Sequence, residues 1–528
     1  MDSNRRSFLK QVGLTAAGVG IWSSLPHQLY AEPVTPFHLP RSSPELQGAS
    51  STGLQAFLEA IEKSKIEFHS IMVLRHGHVI AEGWWKPYAP VLKHTLYSLS
   101  KSFTSSAVGM AIAEKHFTLE SPVISFFPND LPEEISDNLK AMKIKHLLSM
   151  STGHAKDTIP KMRADLVINW VKEFLSLPVE FEPGTHFVYN TGATYMLSAI
   201  VQKKTGKPLL QYLKPRLFDP LGITDPDWEI DPRGINTGGY GLRVKAEDIA
   251  KFGQLYLQKG LWKGKQILPA AWIADATISH IDSSPPVVKR PNEENDWAQG
   301  YGYQFWRCRY GAYRGDGAFG QFCIVLPEQD AIVAITGESF DLQASINLVW
   351  SHVLPAMNKT ALAADAPAHK NLEGKLKGLA LDPPKHNVSS PRAEQISGKV
   401  FTLEANDFAK SISFTLFDDN CLFRLTQEKA EHQVVAYVNR WMITEKFKTQ
   451  TVFPLAGRPE VTTPLAASIT WKDDNTLIMT LRYTETAHSD TITFDFQGDR
   501  IKLSFLSSVS RGNPDSVEKR KSIQGQMV

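Results

Sequence analysis

The sequence predicts a mixed α/β (α+β) fold, an antiparallel sheet with flanking helices and a helical subdomain, followed by a small all-β C-terminal domain. Strand patterns at 70–85 and 301–336 enclose a series of helical patterns. Strands at both ends of a helical insertion indicate an α/β domain with a helical subdomain and not a series of βαβ units. Beyond about residue 390, short alternating runs are joined by tight turns, which indicates an antiparallel sheet or barrel.

Length and composition limit the class of protein. A chain of 528 residues predicts two or three domains. With 42% hydrophobic and 21% charged residues, it has the composition of a soluble globular protein with a large core. The net charge of +2 gives no reason to expect nucleic acid or an anionic membrane as a partner. The sequence does not predict an oligomeric state.

The N-terminal segment resembles a twin-arginine export signal. Arg5 and Arg6 precede a weakly hydrophobic run over 12–25, and Leu-Tyr-Ala at 29–31 follows as a candidate cleavage site before Glu32 and Pro33. The run is too short, and too interrupted by Gly and Ser, to span a bilayer as a stable anchor. We therefore predict a signal peptide at 1–31 and a bacterial protein that is periplasmic or secreted.

The first domain is predicted over 32–357, and its elements follow from hydrophobic periodicity. Residues 54–65 form an amphipathic pattern, and 103–113 is apolar nearly all round, as in a buried helix. The remaining patterns predict helices at 144–150, 166–175, 194–203, 247–257, 270–276 and 342–354, and strands at 70–74, 79–85, 301–306, 320–326 and 331–336.

No cofactor or metal is expected. His76 and His78 flank a hairpin glycine, and the nearest further ligands lie several strand residues away. The three cysteines are too few for a disulfide framework and match no zinc spacing. Cys308 and Cys323 either pair in an oxidising compartment or are buried apolar residues in neighbouring strands.

Two further segments complete the predicted organisation. Residues 358–390 are rich in Ala, Pro, Lys and Gly without a sustained period, which is typical of a linker. Residues 391–528 contain the alternating strands of the second domain. Three roles are open for that domain: a lid, a dimerisation surface, or a small module that binds an apolar ligand.

The tetrapeptide from Ser98 to Lys101 is the most informative motif. The same Ser-x-x-Lys pattern begins at Ser7, inside the predicted signal, and at Ser516, in a Lys/Arg-rich tail. Ser98 instead precedes the predicted buried helix. On the first turn of a helix, Lys101 at i+3 lies on the same face as Ser98. That arrangement brings an amine within reach of a hydroxyl, as an activated serine without a histidine partner requires.

A base and donors for an oxyanion are also available. Backbone N–H groups in the first turn of a helix are free for a developing negative charge. Burial would lower the pKa of Lys101 far below the usual value of about 10.4 and allow it to act as a base. Tyr189 ends a short extended piece and could share the proton. It could equally be a core tyrosine followed by two capping residues, Asn190 and Thr191.

A glycine-rich segment over 313–321 supplies the third element. Gly315 and Gly317 would let a backbone approach a ligand closely, and an edge strand offers a free N–H as second oxyanion donor. The alternative is a glycine-rich hairpin without a catalytic role.

Taken in order, these motifs resemble the serine β-lactamase and penicillin-binding-protein superfamily over about residues 40–357. The closest likeness is to the class C β-lactamase branch, with its esterases, D-amino-acid peptidases and 6-aminohexanoate-dimer-type hydrolases. The resemblance implies a β-lactamase/transpeptidase-like fold, with Ser98 as acylated nucleophile and Lys101 as its base. It also implies Tyr189 as phenolate or proton shuttle, and an oxyanion hole from Ser98 N–H and an N–H within 315–318.

The chain departs from the family pattern at two places. The second motif usually reads Tyr-x-Asn, but Asn190 is in the middle position and Thr191 in the third. The third motif usually begins with Lys or His, where this chain has Gly315, and the nearby cation is Arg314. These changes argue against efficient β-lactam hydrolysis. Asp316 would suit a substrate ammonium group, or it caps a turn.

The sequence thus predicts an exported serine hydrolase that cleaves an ester or amide of a small molecule or short peptide through an acyl-enzyme on Ser98. The alternatives are β-lactamase or D-amino-acid peptidase activity, or a non-catalytic protein that binds cell-wall peptides. A Ser-His-Asp hydrolase is less favoured, because the sequence contains no Gly-x-Ser-x-Gly elbow.

Overall fold

The computed structural model describes residues 38–164, 166–285, 290–448, 462–513 and 516–528. The predicted signal at 1–31 lies outside these ranges. Within them, no helix combines the length and the apolar character needed to cross a membrane. These described residues belong to one compact unit.

The described helices lie mostly in the first domain, around its sheet. They are α1 (Ser51–Lys63), α2 (Ser100–Ala113), α3 (Asp137–Ala141), α4 (Ile144–Leu148), α5 (Ile159–Met162), α6 (Trp170–Ser176), α7 (Thr191–Thr205), α8 (Leu209–Leu213), α9 (Asp219–Leu221), α10 (Ala246–Leu257), α11 (Ala270–Ala276), α12 (Leu342–Leu348), α13 (Ala366–Gly378), α14 (Arg392–Ile396) and α15 (Ser508–Gly512). Short 3₁₀ and π turns occur at Glu45–Gln47, Tyr97–Leu99, Val123–Phe126, Lys214–Phe218, Asn292–Glu294, Pro327–Gln329 and Val349–Val353.

The strands fall into two large sheets and two small ones. In the first domain they are β1 (Glu67–Arg75), β2 (His78–Trp84), β3 (His94–Thr95), β4 (Asp227–Trp228), β5 (Leu242–Val244), β6 (Leu261–Trp262), β7 (Lys265–Gln266), β8 (Trp306–Arg307), β9 (Tyr313–Gly317), β10 (Gln321–Leu326) and β11 (Ala331–Glu338). In the second domain they are β12 (Val400–Leu403), β13 (Ser411–Leu416), β14 (Asn420–Thr426), β15 (Glu431–Val438), β16 (Met442–Lys448), β17 (Thr462–Asp473), β18 (Thr476–Tyr483), β19 (Ser489–Gln497), β20 (Arg500–Ser507) and β21 (Ile523–Met527).

The main sheet of the first domain is antiparallel and covered on both faces. Its strand order is β2-β1-β11-β10-β9-β8. Side chains alternate along β1: Met72 and Leu74 enter a core shared with α2 and α10. Ile71 and Val73 enter a second core, which is shared with α1. The chain crosses from the sheet into the helical part and returns, which confirms the predicted fold class.

The second domain is an all-β barrel, as predicted. Its described strands form a ten-stranded sheet that is closed by a parallel pairing of β15 with β17. The interior is packed with aromatic rings such as Phe414, Phe423 and Phe494, which contact one another at centroid distances of 4.9–5.6 Å.

Some boundaries differ from the sequence prediction for local reasons. The helix α7 begins at Thr191 and not at 194, because the Asn190 side chain caps it. Within the segment 358–390, predicted as a linker, α13 packs beside β2 and places Leu372 in the core shared with α1. The three cysteines, all in the described ranges, are buried free thiols.

Candidate active site

The predicted nucleophile lies on a short 3₁₀ turn, Tyr97–Leu99, that leads directly into α2. Ser98 is partly exposed, whereas its neighbours Tyr97 and Leu99 are buried. Tyr97 has a φ of 48°, in the left-handed region that bulky residues rarely adopt. Such a conformation persists only when the surroundings hold it in place. The turn presents the Ser98 hydroxyl at the start of a buried helix.

Lys101 projects from the first turn of α2 towards Ser98. Its side chain is 1% exposed, and its Nζ lies 3.0 Å from Ser98 Oγ. Two further acceptors surround the same nitrogen: Thr191 Oγ1 at 3.3 Å and the Gly239 carbonyl oxygen at 2.8 Å. Burial lowers the pKa of Lys101 to about 7, although the nearby carboxylates of Asp157 and Asp316 act in the opposite direction.

This geometry suits a general base. An ammonium group has three N–H donors, one for each of the three acceptors around Lys101. A neutral amine has two N–H donors and a lone pair. When Thr191 and Gly239 accept the two N–H bonds, the lone pair faces Ser98 Oγ and can accept its proton.

Tyr189 lies beside both Lys101 and Ser98. Its ring centroid is 4.8 Å from Lys101 Nζ, and the ring stacks on Trp306 at 5.6 Å. Burial raises the pKa of Tyr189 well above its usual range, and the charge of Asp316 adds to this, whereas a hydrogen bond with Ser98 opposes it. At neutral pH the phenol therefore carries its proton.

Asn190 lies at the start of α7 and caps that helix. It is fully buried, and its Oδ1 accepts hydrogen bonds from the Ala193 N–H at the start of α7 and from the Thr158 hydroxyl. The side chain is thus held as a helix cap. Thr191, one position on, contacts Lys101 instead. Thr191 occupies the third position of the Tyr-x-Asn motif, where the family usually has Asn. That position was the signal that could have identified Thr191 as a site residue.

Gly239 is a second contact that sequence reasoning missed. It lies in a turn after Gly238, whose φ is 65°. A Cβ at Gly239 would lie 2.7 Å from Thr191 Cγ2 and 3.5 Å from Lys101 Nζ. The run Gly238-Gly239-Tyr240-Gly241 is visible in the sequence, but nothing local links it to a lysine far earlier in the chain.

The glycine-rich strand β9 lies directly against the nucleophile turn. A Cβ at Gly315 would be 2.5 Å from Leu99 Cδ1, and one at Gly317 would be 2.1 Å from the Leu96 carbonyl oxygen. The neighbour β8 pairs with β9 only at Tyr313 and Arg314. The glycines therefore permit a close approach of the β9 edge to Ser98.

Asp316 and Arg314 form a buried ion pair, with Arg314 Nη2 2.9 Å from Asp316 Oδ2. Arg314 is 0% exposed, donates to the Asp296 carbonyl oxygen and stacks over Trp297. Burial raises the pKa of Asp316, and Arg314 opposes this shift. Asp316 thus neutralises Arg314. The sequence had suggested other roles for it, as a partner of a substrate ammonium group or as the cap of a turn.

Ser98, Lys101, Tyr189 and the glycines of β9 therefore converge in the folded chain, and their catalytic roles stay predictions. Comparison with known proteins gives the family. A 6-aminohexanoate-dimer hydrolase of Paenarthrobacter ureafaciens is 23% identical over 283 residues, 50% of this chain and 71% of the relative. A β-lactamase of Escherichia coli (strain K12) is 22% identical over 348 residues, 55% of this chain and 89% of the relative.

Among solved structures, the octameric penicillin-binding protein homologue from Pyrococcus abyssi is 15% identical with a TM-score of 0.46, over 90% of this chain and 99% of that one. The Beta-lactamase family matches residues 55–345, more than half of the chain. The protein belongs to the Beta-lactamase family.

Proposed function

We propose that this protein is an exported serine hydrolase that cleaves an ester or amide through an acyl-enzyme on Ser98. The observation that carries the proposal is the buried Lys101 amine, 3.0 Å from Ser98 Oγ, with a pKa lowered to about 7. A lysine with that pKa is neutral in a large fraction of molecules at neutral pH. It can therefore accept a proton from the hydroxyl that it contacts.

In acylation, the Ser98 hydroxyl transfers its proton to the neutral Lys101 amine while Oγ attacks the substrate carbonyl carbon. The resulting oxyanion would be stabilised by the Ser98 N–H and an N–H of the β9 edge. The Tyr189 phenol then donates its proton to the leaving group and regains one from the Lys101 ammonium. Deacylation repeats the sequence with water in place of the Ser98 hydroxyl, and the Ser98–acyl bond breaks.

The charges around the site favour neutral or cationic substrates. Arg314, the cation of the glycine-rich strand, is buried against Asp316 and cannot bind a substrate carboxylate. The charges that act on Lys101 are the carboxylates of Asp157 and Asp316. These observations support hydrolysis of esters or amides without a carboxylate next to the scissile bond, over hydrolysis of carboxylate-bearing β-lactams.

The test compares the wild type with Ser98→Ala, using p-nitrophenyl acetate turnover and labelling by a fluorophosphonate probe. We expect loss of turnover by about 10³-fold or more and loss of the adduct. Ser516→Ala is the matched control, because Ser516 begins the same Ser-x-x-Lys pattern outside the site. Wild-type turnover in Ser98→Ala would refute the assignment. A wild type without an adduct would favour the cell-wall-peptide-binding alternative.

The substrate class is tested by measuring kcat/KM for a panel of esters, D-peptides, ω-amino-acid amides and β-lactams. We expect neutral esters to be turned over with higher kcat/KM than carboxylate-bearing β-lactams. The opposite ranking would favour the β-lactamase alternative, and a preference for D-peptides would favour the D-amino-acid peptidase.

Export rests on the sequence of 1–31 alone. A double variant with Arg5→Lys and Arg6→Lys should stay in the cytoplasmic fraction of a bacterial host, while the unchanged chain reaches the periplasm or the medium. Equal distribution of both would contradict twin-arginine export.

A further inference from the structure

The connection between β18 and β19 of the barrel is buried in the first domain. Residues 484–488 read Thr-Glu-Thr-Ala-His, and each of them is less than 10% exposed. Polar residues at a hairpin tip are usually solvated, so their burial calls for partners in the first domain.

Those partners lie next to the nucleophile turn. The Thr95 N–H, three residues before Ser98, donates to the Glu485 carbonyl oxygen at 2.9 Å. Arg243, on the strand β5 that pairs with β3, donates to Glu485 Oε2 at 3.0 Å. The barrel hairpin thus contacts the small sheet that leads into the Ser98 turn.

His488 makes the most direct contact. Its Nε2 lies 2.8 Å from the Tyr97 hydroxyl, and its Nδ1 lies 2.8 Å from Glu338 Oε1. The Ser508 hydroxyl donates to the same Glu338 oxygen at 2.5 Å. Because an ionised carboxylate only accepts, His488 Nδ1 carries a hydrogen. In the neutral ring, Nε2 is then left to accept from the Tyr97 O–H.

Tyr97 transmits this contact to the catalytic turn. It directly precedes Ser98 and holds the left-handed φ of 48°. Its hydroxyl is fixed by His488 and its ring is edge-on to Phe319 at 5.2 Å. Phe319 follows the β9 glycines and is itself edge-on to His488 at 4.7 Å. One imidazole therefore contacts both the nucleophile turn and the end of the oxyanion strand.

We propose that His488 is a positioning residue: it holds Tyr97, and through it the Ser98 hydroxyl, in line with Lys101 and the β9 edge. This inference rests on the proposed hydrolase function. It gives the C-terminal barrel a role other than lid, dimerisation surface or apolar-ligand module. The barrel supplies part of the support under the nucleophile.

The test uses the full chain and the variants Tyr97→Phe and His488→Phe. Each removes the hydroxyl–imidazole bond. We expect kcat for p-nitrophenyl acetate and the rate of fluorophosphonate labelling to fall by roughly 10- to 100-fold, with KM changed less than about twofold. The double variant should be no slower than the slower single variant, since both substitutions remove the same bond. His488→Gln keeps an acceptor near Nε2 and should recover part of the rate.

Tyr88→Phe is the matched control. The Tyr88 hydroxyl donates to the Thr486 carbonyl oxygen of the same hairpin at 3.2 Å and does not bond to the nucleophile turn. We expect Tyr88→Phe to keep the wild-type kcat, even if its thermal unfolding midpoint falls as much as that of Tyr97→Phe.

The outcomes separate the two proposals. If the wild type shows neither turnover nor an adduct, the proposed function fails and this inference fails with it. If the wild type is active and folded Tyr97→Phe keeps its kcat, only the inference is overturned. Should His488→Phe not fold, Tyr97→Phe decides, because it keeps the ring and removes a single hydroxyl.

Discussion

The pKa of Lys101 should control both the activity and the stability of this protein between pH 7 and 10. Burial lowers that pKa from 10.5 to about 7, a difference of about 3.5. At about 1.36 kcal/mol for each pKa unit, the buried site disfavours the ammonium form by about 4–5 kcal/mol. Between these two values the unfolded chain binds a proton that the folded chain has released. Stability therefore rises with pH across this window.

The perturbation that isolates this effect is Lys101→Met, which keeps a long side chain and removes the amine. We expect the variant to lack the pH dependence that Lys101 contributes. The difference in unfolding free energy, variant minus wild type, should fall by about 4 kcal/mol from pH 7 to 10.5. Urea unfolding of both proteins across this range measures it, because other titrating groups cancel in the difference.

Activity gives an independent measure of the same group. Only the neutral amine can accept the Ser98 proton, so kcat/KM for a neutral ester should rise with pH, with a midpoint near 7. Tyr189 adds no second step below pH 10, since its own pKa is raised. A stability difference that is constant from pH 7 to 10, or a rate midpoint near 10, would refute the assignment of Lys101 as base.

Three further substitutions test the close packing at β9, an exposed helix position and a buried ion pair. Gly317→Ala would place a Cβ 2.1 Å from the Leu96 carbonyl oxygen, so we expect kcat to fall roughly 100-fold. Gly374→Ala, in α13, would place a Cβ where it meets no other side chain within 4 Å. We expect the free energy of unfolding in urea to rise by about 0.5–1 kcal/mol, with unchanged kcat. Glu67→Gln would leave the buried Arg482 without its partner carboxylate and should cost roughly 3 kcal/mol at pH 7. Because Arg482 lowers the pKa of Glu67, that cost should shrink in acid. A wild-type kcat in Gly317→Ala or equal stability of Glu67→Gln would contradict these expectations.

The parts of the site that could be predicted are those encoded by local spacing or by a chain of motifs. Ser98 and Lys101 are one helical turn apart, and the order of the Tyr189 and glycine motifs led to the same family. The contacts that escaped prediction join distant segments. Thr191 and Gly239 meet Lys101 across 90 and 138 residues, and no local pattern specifies which backbone carbonyl a buried amine will contact.

Charged residues were the least predictable, because their role depends on burial. Asp316 looked available to a ligand in a glycine-rich segment, but it is buried against Arg314. The helix α13 was missed for a related reason. Its sequence is rich in Lys and Gly and buries mainly Leu372, so composition alone resembles a linker.

The same dependence on burial explains why the barrel hairpin matters. A lysine with a lowered pKa and a tyrosine in the left-handed region both raise the free energy of the folded state, and they lie four residues apart, at Tyr97 and Lys101. Contacts elsewhere must offset that cost. The hairpin supplies them close by, through Glu485 with Arg243 and His488 with Glu338. If His488 positions the Ser98 turn as proposed, stability and catalysis share one support, and deleting the barrel should impair both together.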